Sequence, residues 1–195
     1  MKPNIDFGLC AEYSISILPK ANIEALNLKA YYKSYRAGEE SFESEYFFLV
    51  KHPSAEEWLL ALGGICDKPE VQGVYACPSP KHFLAVIDNV AYYVDSSLPN
   101  NATPVAHSVD SIEVSLPNQQ LFVVTSKTII AIGKSGLMWE SPELFPDGVY
   151  ITIISKDLIW GHGDEVDGEY GAFKISVNDG SLVQNNWYTE TYSAE

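Results

Sequence analysis

From residue 71 onward the chain is a succession of short runs rich in Val, Ile, Phe and Tyr, each closed by a turn signal. This cadence restricts the fold more than any other feature. Isolated runs of about four to eight residues are too short for stable helices, and branched and aromatic side chains suit a pleated surface. Residues 73–77, 82–88 and 90–95 form one group, with Asp88-Asn89 as a tight-turn signal. A proline-bearing loop is expected over 98–104 and a connecting strand over 112–116. Residues 121–125, 129–132 and 137–140 form a second group around the turn Gly133-Lys134-Ser135-Gly136. A third contains 149–154, 158–160, 172–177 and 181–183, with turns at 155–157 and at Asn178-Asp179-Gly180.

The first third is more mixed. Residues 13–18, 28–35 and 44–50 read as strands, whereas 54–62 predicts one short helix. Ser54 would cap it with Glu57 reaching back, Gly63-Gly64 would end it, and Trp58, Leu59 and Leu62 would form its buried face. The expected fold is therefore mainly β, α+β at the N-terminus, with antiparallel meander sheets forming an incomplete propeller or a sandwich. Residues 1–70 and 71–195 are its two regions, as separate domains or as parts of one.

The run LFVVTSKTIIAIGKSGLMWES, from Leu121, resembles the blade repeat of quinoprotein-type β-propellers, in which such a tryptophan packs between neighbouring blades. Residues 121–183 are also similar to an uncharacterised family of small bacterial β-rich proteins, matching at Trp139, Gly148, Gly161, Gly168, Phe173 and Gly180. These resemblances imply a β-rich fold and no catalytic residues.

The 195 residues carry a net charge of −14, from 26 acidic and 12 basic side chains. That balance opposes binding to a phosphate backbone or an anionic membrane and favours a cationic partner. The excess is concentrated: residues 139–195 contain eleven acids and two bases. At its centre lies WGHGDEVDGEYGAF, residues 160–173, in which Asp164, Glu165, Asp167 and Glu169 alternate with glycines between two strand-like runs. The N-terminus lacks the apolar core of a signal peptide, so a cytoplasmic location is expected. Cys10, Cys66 and Cys77 show no CxxC spacing and read as buried thiols.

Chemical motifs are weak. Gly133-Lys134-Ser135 has the last letters of a phosphate-binding loop, but the glycine such a loop needs five residues earlier is Thr128. An EF-hand frame with Gly168 at its sixth position puts Gly163 at the first and Lys174 at the twelfth, neither of which supplies the required ligand. His162, Asp164 and Asp167 remain as an irregular metal-ligand set, and Cys77 with His82 or His162 as a distant nucleophile pair. No Gly-x-Ser-x-Gly elbow is present.

With no motif fixing a chemistry, the expectation is a binding protein with no cofactor, not an enzyme. Its profile looks like a bacterial immunity protein or antitoxin that blocks a basic toxin domain. Asp164, Glu165, Asp167 and Glu169 would supply charge, and Trp160 and Tyr170, with Trp187 and Tyr188, aromatic anchors. The alternatives are an accessory propeller-like scaffold and an unrecognised hydrolase.

Overall fold

The computed structural model describes residues 4–6, 8–9, 11–18, 30–34, 45–63, 71–98, 101–164 and 170–188. Among these there are seventeen strands, in four sheets, and no helix. The chain divides into two compact units, Met1–His107 and Ser108–Glu195.

In the first unit, β2 (Ser14–Leu18), β3 (Ala30–Ser34), β4 (Glu45–Lys51) and β5 (Trp58–Gly63) form a sheet in the order β2-β4-β5-β3. Its pairs are antiparallel except β3 with β5. The second sheet joins β1 (Asn4–Asp6), parallel, to the meander β6 (Gly73–Ala76), β7 (His82–Ile87), β8 (Val90–Asp95) and β9 (Ala102–Ala106). With β1 beside β6, one sheet draws on both sides of residue 70. Ile15, Phe48, Val50, Trp58 and Leu60 of the first sheet pack with Val74, Phe83, Ala85, Ile87, Tyr92 and Val94 of the second.

The helix expected over 54–62 is instead a turn followed by β5. Trp58, Leu59, Leu60 and Ala61 are all at most 2% exposed. A short surface helix would leave part of so continuous an apolar run in water, whereas a strand in a sheet buried on both faces places all of it in the core. The capping residues have other partners. Ser54 hydrogen-bonds His52 Nδ1 through its amide, at 3.2 Å, and lies 3.0 Å from it through its hydroxyl. Glu57 receives Lys51 Nζ at 2.7 Å. The loop expected over 98–104 holds at Leu98 and Asn101, with 99–100 outside the described residues, but from Ala102 the chain is β9, a sheet-edge strand that tolerates Pro104.

The second unit contains two uninterrupted meanders. β10 (Val109–Ser115), β11 (Gln120–Thr125), β12 (Ile129–Gly133) and β13 (Gly136–Glu140) make one; β14 (Val149–Ile154), β15 (Leu158–Asp164), β16 (Tyr170–Ser176) and β17 (Leu182–Tyr188) make the other. Their shared core includes Phe122, Val124, Ile129 and Trp139 with Phe145, Ile159, Phe173 and Ile175. Gly133-Lys134-Ser135-Gly136 is the β12–β13 hairpin turn, with Gly133 facing Gly136.

Trp139 holds the two meanders together. Its Nε1–H donates to Val177 O at 2.9 Å, and its ring tilts against Phe122 at a centroid distance of 5.9 Å. Gly180 has φ +69°, and a Cβ there would lie 2.5 Å from the indole. Both the backbone and the close approach therefore require glycine.

The same latch occurs in the first unit. Trp58 Nε1–H donates to Ser96 O at 2.9 Å, and both bonds join residues separated by 38 positions. Ser96 directly follows β8 and Val177 directly follows β16. Their amides donate to the carbonyls just before β7 and β15: Ser96 N–H to Lys81 at 2.9 Å, and Val177 N–H to Asp157 at 3.0 Å. The meander β6–β9 and the meander β14–β17 are thus the same local construction.

Replacing Trp139 with Phe should leave the Val177 carbonyl buried and unpaired, costing the second unit about 1–3 kcal/mol. Urea unfolding followed by a probe in residues 108–195 should show a lower midpoint. Gly180→Val should be at least as damaging.

Candidate functional site

The two equivalent meanders differ in one respect that bears on function. In the first, β7 presents Phe83, Ala85 and Ile87 to the core, and its opposite face, Leu84 and Val86, is buried too, at 0–1% exposure. In the second, β15 presents Ile159, Gly161 and Gly163 inward, while the alternate positions Trp160 and His162 face water. Strand alternation extends that outer face to Tyr150 on β14 and Tyr170 on β16, which are 47% and 58% exposed; Trp160 is 42% exposed.

Cross-strand register sorts this face into rows. Tyr150, His162 and Ala172 are opposite one another, as are Ile153, Trp160 and Lys174, with Gln184 beyond Lys174. Tyr150 and His162 stack at 5.2 Å, and His162 Nδ1 lies 3.3 Å from Thr152 Oγ1. Lys174 Nζ sits 4.5 Å from the centre of the Trp160 ring and donates to Gln184 Oε1 at 2.9 Å. Ala172, the small residue between Tyr170 and Lys174 on β16, leaves a concavity of about 370 Å³ walled by Ile153, Trp160, His162 and Lys174. Such a mixture of exposed aromatic area and fixed polar groups suits a recognition surface.

At the end of this face, Asp164 pairs across the sheet with Tyr170 and marks where β15 leaves for β16. The corresponding connection in the first unit is the two-residue turn Asp88-Asn89, whose φ values of 54° and 59° close a tight hairpin. Here β15 and β16 have 7 residues each, against 6 in β7 and β8, and they are joined by residues 165–169. The acidic stretch is therefore a hairpin connection, as its sequence predicts. Glu165, Asp167 and Glu169 lie outside the described residues. Gly161 and Gly163 belong to the strand, where they make room for Phe173 and Phe145; close packing, not a loose tip, accounts for these two glycines.

Of the expected anchors, Trp160 and Tyr170 share the exposed face and Asp164 is half-buried at its end. Trp187 and Tyr188 fall on the backbone of β17, with their side chains outside the described residues. For the irregular metal set, His162 and Asp164 share the outer face but Asp167 lies outside the described residues; among those described, no three His, Cys, Asp or Glu side chains gather. Tyr150, Thr152, Lys174 and Gln184 are additional members of the site. Their signal was the period-two placement of polar and aromatic residues in strands whose alternate positions are apolar, but which face is left open is not a sequence property.

The nucleophile reading resolves differently for each residue. Burial pushes the Cys77 thiol far above its ordinary range, so it stays protonated as a core residue. Cys10 and Cys66 lie outside the described residues. His162 belongs to the second unit and Cys77 to the first. Around His82 the structure reveals a cluster not expected from sequence: Ser79 Oγ lies 2.8 Å from His82 Nδ1, Asp95 Oδ2 3.8 Å from Nε2, and Tyr93 stacks on the ring at 4.6 Å. The carboxylate is too distant to hydrogen-bond and orient the imidazole, and Ser79 is only 8% exposed. The cluster reads as a hairpin clamp. Burial lowers the His82 pKa below its ordinary 6.5, against the opposing pull of Asp95. Burial would raise Asp95, but hydrogen bonds from the Ser97 hydroxyl and amide, aided by His82, bring it below its ordinary value.

No protein-family model matches the chain, and no curated protein matches it. Among the described residues, no helix is long and apolar enough to cross a membrane.

Because folded His82 binds its proton less readily than unfolded His82, its contribution to stability is present above pH 6.5 and is lost as the pH falls through the lowered folded value. Melting temperatures between pH 7.5 and 5 should decline, and His82→Gln should flatten that decline. Asp95 acts in a lower window, below its ordinary 3.8.

Proposed function

We propose that this is a protein-binding protein whose interface is the outer face of β14–β17 together with the acidic β15–β16 connection. The observation that carries the reading is the contrast between the two equivalent meanders. Where β7 has buried Leu84 and Val86, β15 has exposed Trp160 and His162, flanked by Tyr150 and Tyr170. Exposed aromatic clusters of this kind supply the few residues that dominate binding energy.

Charge narrows the partner. Asp164, Glu165, Asp167 and Glu169 follow one another along the hairpin, in the part of the chain with eleven acids and two bases. This field would steer a cationic protein surface and accelerate its association. An immunity protein or antitoxin acting in the cytoplasm on a basic bacterial toxin meets these requirements: Trp160 and Tyr170 dock in the toxin while the carboxylates occupy its phosphate-gripping surface.

The test is affinity capture of the partner by the natural chain, followed by two variants. Trp160→Ala should weaken binding by at least about 2 kcal/mol, near thirtyfold, mainly through faster dissociation. Joint replacement of Asp164, Glu165 and Asp167 by Lys should slow association and remove most of its salt dependence. Unchanged binding in both variants would exclude this face as the interface.

A further inference from the structure

The concavity at Ala172 has chemistry that the acidic character of the chain does not foreshadow. Lys174 is one of two bases in residues 139–195, and it is pinned in place: its ammonium rests over the Trp160 ring and donates to Gln184 Oε1. A lysine ammonium carries three donors, so these two contacts leave donor capacity at the rim of the concavity. His162 and Thr152 place two further polar groups on the opposite side, and Trp160, Ile153 and Ala172 supply apolar wall and floor.

Among the described residues, the two carboxylates that flank this row along β15 stand away from it. Asp164 lies four residues from Trp160 along β15, about 13 Å at the rise of an extended strand. Asp157 lies three residues away in the other direction, about 10 Å. Both are backbone separations, measured from the residue paired with Lys174, and both exceed the screening length of about 8 Å at physiological salt. Among the described residues, the centre of the sheet sets a fixed lysine beside apolar area, between Asp157 and Asp164.

We infer that this concavity is a binding site for a carboxylate borne on a compact apolar body. The carboxylate pairs with Lys174 and accepts hydrogen bonds from the His162–Thr152 side, and the apolar body rests on Ala172 against Trp160 and Ile153. A cationic side chain is repelled by Lys174, which already occupies the Trp160 ring. The ligand is either a free aromatic or aliphatic acid or the C-terminal residue of a protein. This site lies on the same face as the proposed interface but is tested separately: with small molecules and a short peptide, whereas that reading is tested by capture of a protein.

The probes are 3-phenylpropionate, its neutral analogue 3-phenylpropanamide, and the peptide Gly-Gly-Phe with a free C-terminus, each titrated into the full chain and followed by backbone amide NMR shifts. Saturable shifts of Gly161, His162, Ala172 and Lys174 are expected with 3-phenylpropionate, with a Kd on the order of millimolar for so small a ligand. The amide should bind at least fivefold more weakly. Lys174→Met should abolish the preference for the acid, and Ala172→Leu should fill the floor and abolish binding of both; unchanged amide spectra away from β14–β17 would establish that each variant is folded. Tighter binding of Gly-Gly-Phe than of 3-phenylpropionate identifies a protein terminus as the ligand, and the reverse a free acid; either supports the site. Equal affinity for acid and amide in the natural chain, a preference that survives Lys174→Met, or no saturable shift at these four amides overturns it.

Discussion

Each unit is organised around one buried indole. Trp58 and Trp139 come from the strand that ends one four-strand set, cross to the adjacent sheet, and donate to the carbonyl that follows its β8 or β16 strand. A meander sheet satisfies its own backbone within its ladders, but its strand ends leave carbonyls that need a donor once they are buried. The indole supplies that donor and fills the space between sheets with one rigid side chain. The demands it makes on its surroundings are visible around Trp139, where Gly180 must lack a side chain and hold a positive φ. Removing the indole exposes both a cavity and an unsatisfied carbonyl, which is why so much of the packing depends on it.

The same construction makes the differences between its two copies informative. Backbone bonds from Ser96 and Val177, the latching indoles and the order of β6–β9 and β14–β17 correspond, whereas β1 and the sheet β2-β4-β5-β3 have no counterpart among the described residues of the second unit. Within the two meanders, β14–β17 departs on the face that carries Tyr150, Trp160, His162 and Lys174, and in the connection that follows Asp164. Nothing in the folding of a four-stranded meander calls for an exposed Trp or for a long acidic connection, since β7 has buried Leu84 and Val86 at the equivalent positions and joins β8 by a two-residue turn. The surface also has internal structure: acids at its ends and a fixed lysine at its middle give it a charge pattern that net charge alone hides.

Most strands were legible because their signals are local. Alternating or continuous runs of Val, Ile, Tyr and Phe bounded by Asp-Asn, Gly-Lys-Ser-Gly and Asn-Asp-Gly coincide with strand pairs and their turns. The segment around Trp58 failed for an equally physical reason. A capping-like Ser54 and Glu57 ahead of Trp-Leu-Leu-Ala-Leu satisfy the local rules for a helix, and a short apolar run has no period that separates a helix from a strand buried on both sides. The choice was made by β4 and β3, one on each side of β5, and β3 is distant in sequence. At the candidate site, the acidic hairpin and Trp160 could be picked out from composition. Lys174 over Trp160 and Ala172 beneath the concavity could not, because they follow from cross-strand register.

The sequence by itself determined that the chain is mainly β, where most of its turns fall, and that its C-terminal part is strongly acidic. These follow from side-chain shape, backbone freedom and charge, which each residue brings with it. Only the tertiary structure decided that residues 58–63 form a strand, that two tryptophans play one role in two units, and which face of β14–β17 is left open. Those outcomes depend on what packs against each surface, and the residues responsible are far apart along the chain.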